Sequence, residues 1–188
     1  MEMKEQILTS AQRLVQQRGF NGFSYADVAV EVGIRKASLH HHFATKADLG
    51  LALIERYSLA LSNELARISS LSVPADEKLR AYIAIYHYTL AADRVCMGGM
   101  LASDALTLEG AMLPSLKHFF AINTDWLTEL LAEGNVQQTF TLSSTAANHA
   151  RLLVSALQGA LMLARATSDR DAFEQTCELL ISNLMRKG

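Results

Sequence analysis

The sequence predicts an all-helical protein, and three observations carry that expectation. Only two prolines and ten glycines occur in 188 residues, below the roughly 5% and 7% of average proteins, so the punctuation of β-rich chains is missing. Strand alternation is hard to find, whereas Ala, Leu and Ser recur at helical spacing. Half of the residues are hydrophobic, which excludes intrinsic disorder and supplies a real core. So apolar a composition in a small helical chain also implies a face covered by a partner.

Ile7, Ala11, Leu14, Val15 and Arg18 define a first helix that closes at Gly19. Phe20 and Phe23 turn the chain inward around Asn21-Gly22, and Ser24-x-x-Asp27 is a capping box opening a second helix. That helix places Val28, Ala29 and Val32 on one face and ends at Gly33. A short third helix runs from Lys36 to His42, and Thr45-x-x-Asp48 caps a long fourth one carrying Leu49, Leu53, Ile54 and Tyr57. Helices two and three have helix-turn-helix spacing. Ala29 permits close approach, Gly33 supplies a positive φ, Ile34 plugs the turn and Leu39 returns to the same core. A plain αα-hairpin has the same arithmetic, so spacing alone leaves both readings open.

The run Gly33-Ile34-Arg35-Lys36-Ala37-Ser38-Leu39-His40-His41-His42-Phe43-Ala44-Thr45-Lys46 resembles the recognition helix and following cap of TetR-family transcriptional regulators. The resemblance spans about residues 5–57. It departs from the family pattern at His40, where Tyr is usual, and at Asp48. It implies that Lys36 reaches a guanine edge or a phosphate, with Ser38 and His41 facing the major groove and Ala37 letting the helix backbone close on DNA. Arg35 and His40 are implied as phosphate-facing, the latter in a pH-dependent way. Lys46, with the cap organised by Thr45, is implied to hold a phosphate at the start of helix four. Ser24 and Tyr25 are implied to meet the opposite DNA backbone, and His42 to pack inward. Successive helical residues point about 100° apart, so His40, His41 and His42 cannot share one ion and no metal or cofactor is expected.

Beyond Pro74, Asp76-Glu77 precede an apolar helix bearing Leu79, Tyr82, Ile83, Tyr86 and Leu90, apolar nearly all round and so expected at the centre of its domain. Gly98-Gly99 is expected to interrupt the helical pattern, and a helix from Pro114 continues to Gly134. Two more are expected over 145–166 and 171–185. Their family counterparts pair with those of a second copy, which implies a homodimer through Leu157, Leu161, Leu180 and Leu184. The family's effector cavity is assigned to Tyr82, Tyr86, Met97, Met100, Phe120, Trp126 and Met162, for which ordinary core packing is the alternative. Cys96, two residues from Arg94, is open between a redox or electrophile sensor and a small buried hydrophobe.

Charge sets weaker limits. Seventeen basic and nineteen acidic residues give a net charge of −2, so a DNA contact must come from a local cluster. No nucleophile–base pair or carboxylate dyad is spaced for catalysis, and no enzyme is expected. The most apolar uncharged stretch, 152–164, reaches about 20 Å, too short for a bilayer. With no secretory signal in view, no membrane association and a cytoplasmic location are expected. Residues 1–48 are assigned to DNA binding and 49–188 to effector binding and dimerisation. The resulting reading is a repressor that leaves a pseudo-palindromic double-stranded operator when a small apolar or weakly polar effector binds. The alternative is a DNA-bound adaptor or nucleoid factor controlled by a protein partner.

Overall fold

The computed structural model describes residues 2–185 and contains, among them, nine α-helices, one 3-10 turn and no strand beyond an isolated bridge. The helices are α1 (Met3–Arg18), α2 (Tyr25–Val32), α3 (Lys36–His42), α4 (Lys46–Ser69), α5 (Ala75–Ala91), α6 (Met97–Ser103), α7 (Leu113–Val136), α8 (Ala146–Thr167) and α9 (Arg170–Ser182), with the 3-10 turn at Gly110–Met112. They form two compact units, residues 1–60 with 94–119 and residues 61–93 with 120–188. These packing units cut the chain elsewhere than the functional division drawn at 48/49, because residues 94–119 fold with the N-terminal helices. α4 and α7 each run through a boundary.

In the first unit Ile7, Ala11, Leu14 and Val15 of the stripe read from the sequence are buried, joined by Leu8, while Arg18 is exposed; Val28 and Ala29 of α2, Leu39 of α3 and Leu49, Leu53 and Ile54 of α4 are buried in the same unit. Burying each of the larger aliphatic side chains contributes about 1.5–3 kcal/mol. Both capping boxes form. The backbone N–H of Ser24 donates to Asp27 Oδ2 at 2.7 Å and that of Asp27 to Ser24 Oγ at 3.4 Å. Likewise the N–H of Thr45 donates to Asp48 Oδ2 at 2.9 Å and that of Asp48 to Thr45 Oγ1 at 3.1 Å. The Ser24 hydroxyl and backbone hold the Asp27 carboxyl below the usual carboxylate range.

In the second unit α5 packs on α8 and α9, which pack on each other. α5 is not apolar all round in effect: it buries Leu79, Tyr82, Ile83, Tyr86 and Leu90 and leaves Tyr88 79% exposed. Gly98 and Gly99 do not interrupt a helix but lie in the first turn of α6, where Gly98 lets the ring of Phe119 approach the backbone. α9 ends at Ser182, three residues before the expected limit. Its continuation turns aside because Thr141 N–H donates to Leu184 O at 2.8 Å and Phe140 pairs with Met185.

The α2–α3 turn depends on Gly33, whose φ of 76° and ψ of 31° lie in the left-handed region. The next N–H, of Ile34, reaches back to Ala29 O at 2.9 Å and ends α2. A Cβ on Gly33 would meet no atom within 4 Å, so only the backbone conformation penalises a side chain. Gly33→Ala is therefore expected to cost about 1–2 kcal/mol in urea unfolding, with Gly33→Asn recovering part of the loss.

Candidate nucleic-acid interface

α3 has only seven residues, too few to be stable alone. It is held by Leu39, which is fully buried, and by the chain that follows it. Leu39 is the only residue of α3 that is buried. Lys36, Ala37, Ser38, His40, His41 and His42 are all exposed, as is Arg35 immediately before the helix. Among the described residues no ion pair involves Arg35 or Lys36. Two cations without carboxylate partners thus lie beside Ser38 and His41 at one end of a rigidly backed helix.

Two of the expected DNA contacts have a different role in the structure. Tyr25 is buried, and its hydroxyl donates inward to the carbonyl oxygens of Phe43, at 3.0 Å, and Thr45, at 2.5 Å. It ties α2 to the α3–α4 turn and is not presented to a phosphate. Burial, with the Asp48 carboxylate nearby, pushes its phenol up to about 12. Lys46 is half-buried and folds back over the α1–α2 loop. Its Nζ donates to Phe20 O and Phe23 O, both at 2.5 Å, and lies 4.8 Å and 4.2 Å from the centroids of the two Phe rings. Burial draws the Lys46 pKa below the ordinary lysine value, and Asp104 and Asp27 oppose that shift. Two carbonyls and two π faces all favour the charged form, so Lys46 is an internal cationic clamp.

The same loop is held from a third side. Phe20 N–H donates to Asp104 Oδ2 at 2.8 Å, and Asn21 Nδ2 to Thr107 Oγ1 at 2.7 Å. The sequence carries no local signal for this contact, because Asp104 is 84 residues from Phe20. His40 is also partly engaged. Its Nδ1 lies 3.2 Å from Ala44 O and its ring 4.7 Å from that of Tyr25. His42 does not pack inward: it is exposed, and Leu39 and Phe43 fill the core position instead. Ser24 and Thr45 are exposed caps at the starts of α2 and α4.

In the second unit the expected effector residues divide. Tyr82, Tyr86 and Trp126 come together: the Tyr82 ring stacks on Trp126 at 5.5 Å and meets Tyr86 edge-on at 5.7 Å. Tyr82 donates to Asn123 Oδ1 at 2.8 Å, its hydroxyl is 3.2 Å from that of Tyr86, and Gln158 Nε2 donates to Tyr86 at 3.4 Å. The sequence reading missed Asn123 and Gln158, though each is a polar residue on an otherwise apolar helix face. Phe120 is half-buried on α7. Met162 is a correction, being 37% exposed on the outer side of α8. Met97 and Met100 belong to the first unit, Met97 buried in α6 and the Met100 methyl set over Gly19.

The dimer residues are corrected more fully. Leu157, Leu161 and Leu184 are core residues of their own chain, and Leu180 is half-buried. The apolar side chains that α8 and α9 expose are Leu152, Met162, Leu163 and Leu179. Neither cysteine is exposed. Tyr57 donates to Cys96 Sγ at 3.8 Å, and burial beside Glu174 and Glu178 pushes the Cys177 thiol up to about 12.

A positive-φ turn between two short helices, the second presenting unpaired cations, defines a helix-turn-helix DNA-binding module. Comparison with known proteins agrees. Residues 7–53 match the family model for bacterial regulatory proteins, tetR family. A TetR-family transcriptional regulator from Agrobacterium tumefaciens is 32% identical with a TM-score of 0.94, over 98% of each chain. A helix-turn-helix regulator of Lactococcus lactis is 26% identical over 98% of this chain and 94% of its own. The transcriptional repressor NemR of Escherichia coli is 27% identical over 57% of this chain and 52% of its own. The chain belongs to the TetR family of helix-turn-helix transcriptional regulators.

The buried phenol supplies a pH test. A folded pKa of about 12 against the ordinary tyrosine value of 10.0 means that folding favours the protonated hydroxyl. That contribution is complete below pH 10 and is lost as pH rises through the folded value. In an ultraviolet titration, the component absent from Tyr25→Phe is expected to ionise well above the ordinary tyrosine range, near pH 12 or together with unfolding.

Proposed function

We propose that this regulator is a homodimeric repressor whose two α3 helices occupy successive major grooves of a pseudo-palindromic operator. The observation that carries the reading is the exposed row of Arg35, Lys36, Ser38 and His41 on a helix backed by Leu39. Lys36 reads a guanine edge or a phosphate, Ala37 permits close approach, and Arg35 with the exposed caps Ser24 and Thr45 meets the backbone.

The second copy docks on α8 and α9. Along α8, Leu152, Ala156, Gly159, Met162, Leu163 and Ala166 recur every three to four residues, and none of them is buried. Small residues within that stripe let a second α8 approach closely. Leu179 extends the same apolar character onto α9.

A small, weakly polar effector is read by the second unit, where Tyr82, Tyr86, Asn123 and Gln158 supply hydrogen-bonding groups and Trp126 and Phe120 supply apolar surface. α4 is one continuous helix from the Thr45–Asp48 cap to Ser69, so displacement of its C-terminal half reaches the cap that supports α3. An effector that favours a displaced α4 alters the separation of the two recognition helices and releases the operator.

Two sets of variants test this. With an operator selected from random duplexes by the full-length protein, Lys36→Ala is expected to weaken binding by about tenfold or more at an unchanged melting temperature. Lys46→Met is expected to lower the melting temperature, since it removes the clamp. Equal operator affinity for Lys36→Ala and wild type would overturn the assignment. In sedimentation velocity, Leu163→Glu is expected to shift dimer toward monomer, and with it to reduce operator affinity, while leaving helical content unchanged.

A further inference from the structure

Three of the chain's six histidines, His40, His41 and His42, stand consecutively on the seven-residue α3, and all three are exposed. A helix of that length spans about 10 Å, close to the Debye length of about 8 Å at physiological salt. No part of α3 is therefore electrostatically remote from the phosphates that flank a groove it enters. The rings point about 100° apart and cannot grip one phosphate, but charge at this range acts without contact. His40 Nδ1 lies 3.2 Å from Ala44 O. A carbonyl only accepts, so Nδ1 carries the proton of that contact and Nε2 is left to titrate. The Tyr25 ring, 4.7 Å from that of His40, stays neutral at these pH values because its phenol is pushed up to about 12. The His41 and His42 ring centroids are 6.1 Å apart, so like charges there repel and the pair shares its protons.

The surrounding charges do not neutralise these rings. Arg35 and Lys36, at the start of α3, are positive, and α1 sets Lys4 5.8 Å from the centroid of Phe43. α2 carries Tyr25, Asp27 and Glu31, and the two carboxylates are engaged by Ser24 and Arg13. α4 begins with Lys46, clamped over the α1–α2 loop, and Asp48, held by the Thr45 N–H. Among the described residues no ion pair involves His40, His41 or His42. An imidazole is neutral at pH 8 and gains its charge around pH 6.5, and DNA, a dense polyanion, favours the charged form. We propose that these histidines make operator binding proton-linked, so that α3 takes up protons on meeting DNA and affinity rises as pH falls from 8 to 6. The sign follows from the charged form favouring the complex: its contribution is complete at acid pH and is lost as pH rises through the imidazole range. The family's usual Tyr in place of His40 would carry no such charge. The inference rests on the operator reading of α3.

The test titrates the full-length protein onto its selected operator duplex by fluorescence anisotropy at pH 6 and pH 8, over a series of salt concentrations. Wild type is expected to bind about fivefold or more tightly at pH 6 in 0.1 M salt, with a salt slope steeper by about 0.9 for each proton held. A variant combining His40→Gln, His41→Gln and His42→Gln is expected to lose most of that pH dependence, whatever its affinity at pH 8. His40→Tyr alone is expected to lose one proton's share. His87, His118 and His149 titrate in every variant, so their contribution cancels in the comparison. Equal pH dependence in the triple variant and wild type overturns the proposal. Calorimetry in two buffers of different ionisation enthalpy needs no variant, and zero proton uptake by wild type at pH 6.5 overturns it equally. Binding of one strength at both pH values overturns this proposal alone, whereas failure to bind any duplex at either pH overturns the operator reading and this proposal with it.

Discussion

A seven-residue helix that must meet DNA in one orientation cannot hold itself, and this constraint organises the first unit. The solution is a pair of reciprocal ties. Tyr25, at the start of α2, reaches forward to the carbonyls of the α3–α4 turn, and Lys46, at the start of α4, reaches back to the carbonyls of the α1–α2 loop. Each tie engages backbone oxygens of a turn, and Thr45 O accepts from Leu49 N–H at 3.2 Å as well as from Tyr25. Together they fix both ends of the helix-turn-helix, while Leu39 anchors its middle. Tyr25 and Lys46, which look like DNA contacts by residue type, are engaged in these internal ties.

The same division between holding and reading explains where exposed charge remains. Arg13 and Arg56 are matched within their own unit, to Glu31 and to Glu5, and add little outward potential. Arg35 and Lys36 have no such match. A chain with a net charge of −2 can therefore present a local positive surface at the start of α3, where two adjacent cations stand without a carboxylate partner.

In the second unit, α8 is apolar on two sides for two reasons. Leu153, Leu157, Leu161 and Ala164 fill the chain's own core, whereas Leu152, Met162 and Leu163 face away from it. Both stripes have helical spacing. A list of leucines therefore cannot separate core from interface, and the two faces are told apart only by which one α5 and α9 cover. The buried tyrosines show a similar ambiguity. Tyr82 and Tyr86 engage their hydroxyls with Asn123 and Gln158, so polar residues on these helix faces belong to a packed, hydrogen-bonded cluster.

The sequence by itself determined the limits of α1, α2 and α3, the start of α4, the caps at Ser24–Asp27 and Thr45–Asp48 and the turn at Gly33. These depend on interactions within about four residues, and hydrogen-bond chemistry at that range is written in adjacent positions. It also determined that α3 would expose its cations, since a helix with one large aliphatic residue can bury only one side. Only the tertiary structure decided that Lys46 and Tyr25 face inward, that Asp104 accepts from Phe20, and which leucines of α8 are core. Those outcomes depend on partners tens of residues away. A lysine ammonium or a leucine side chain has the same local sequence signature whether it meets water, a carbonyl or another helix.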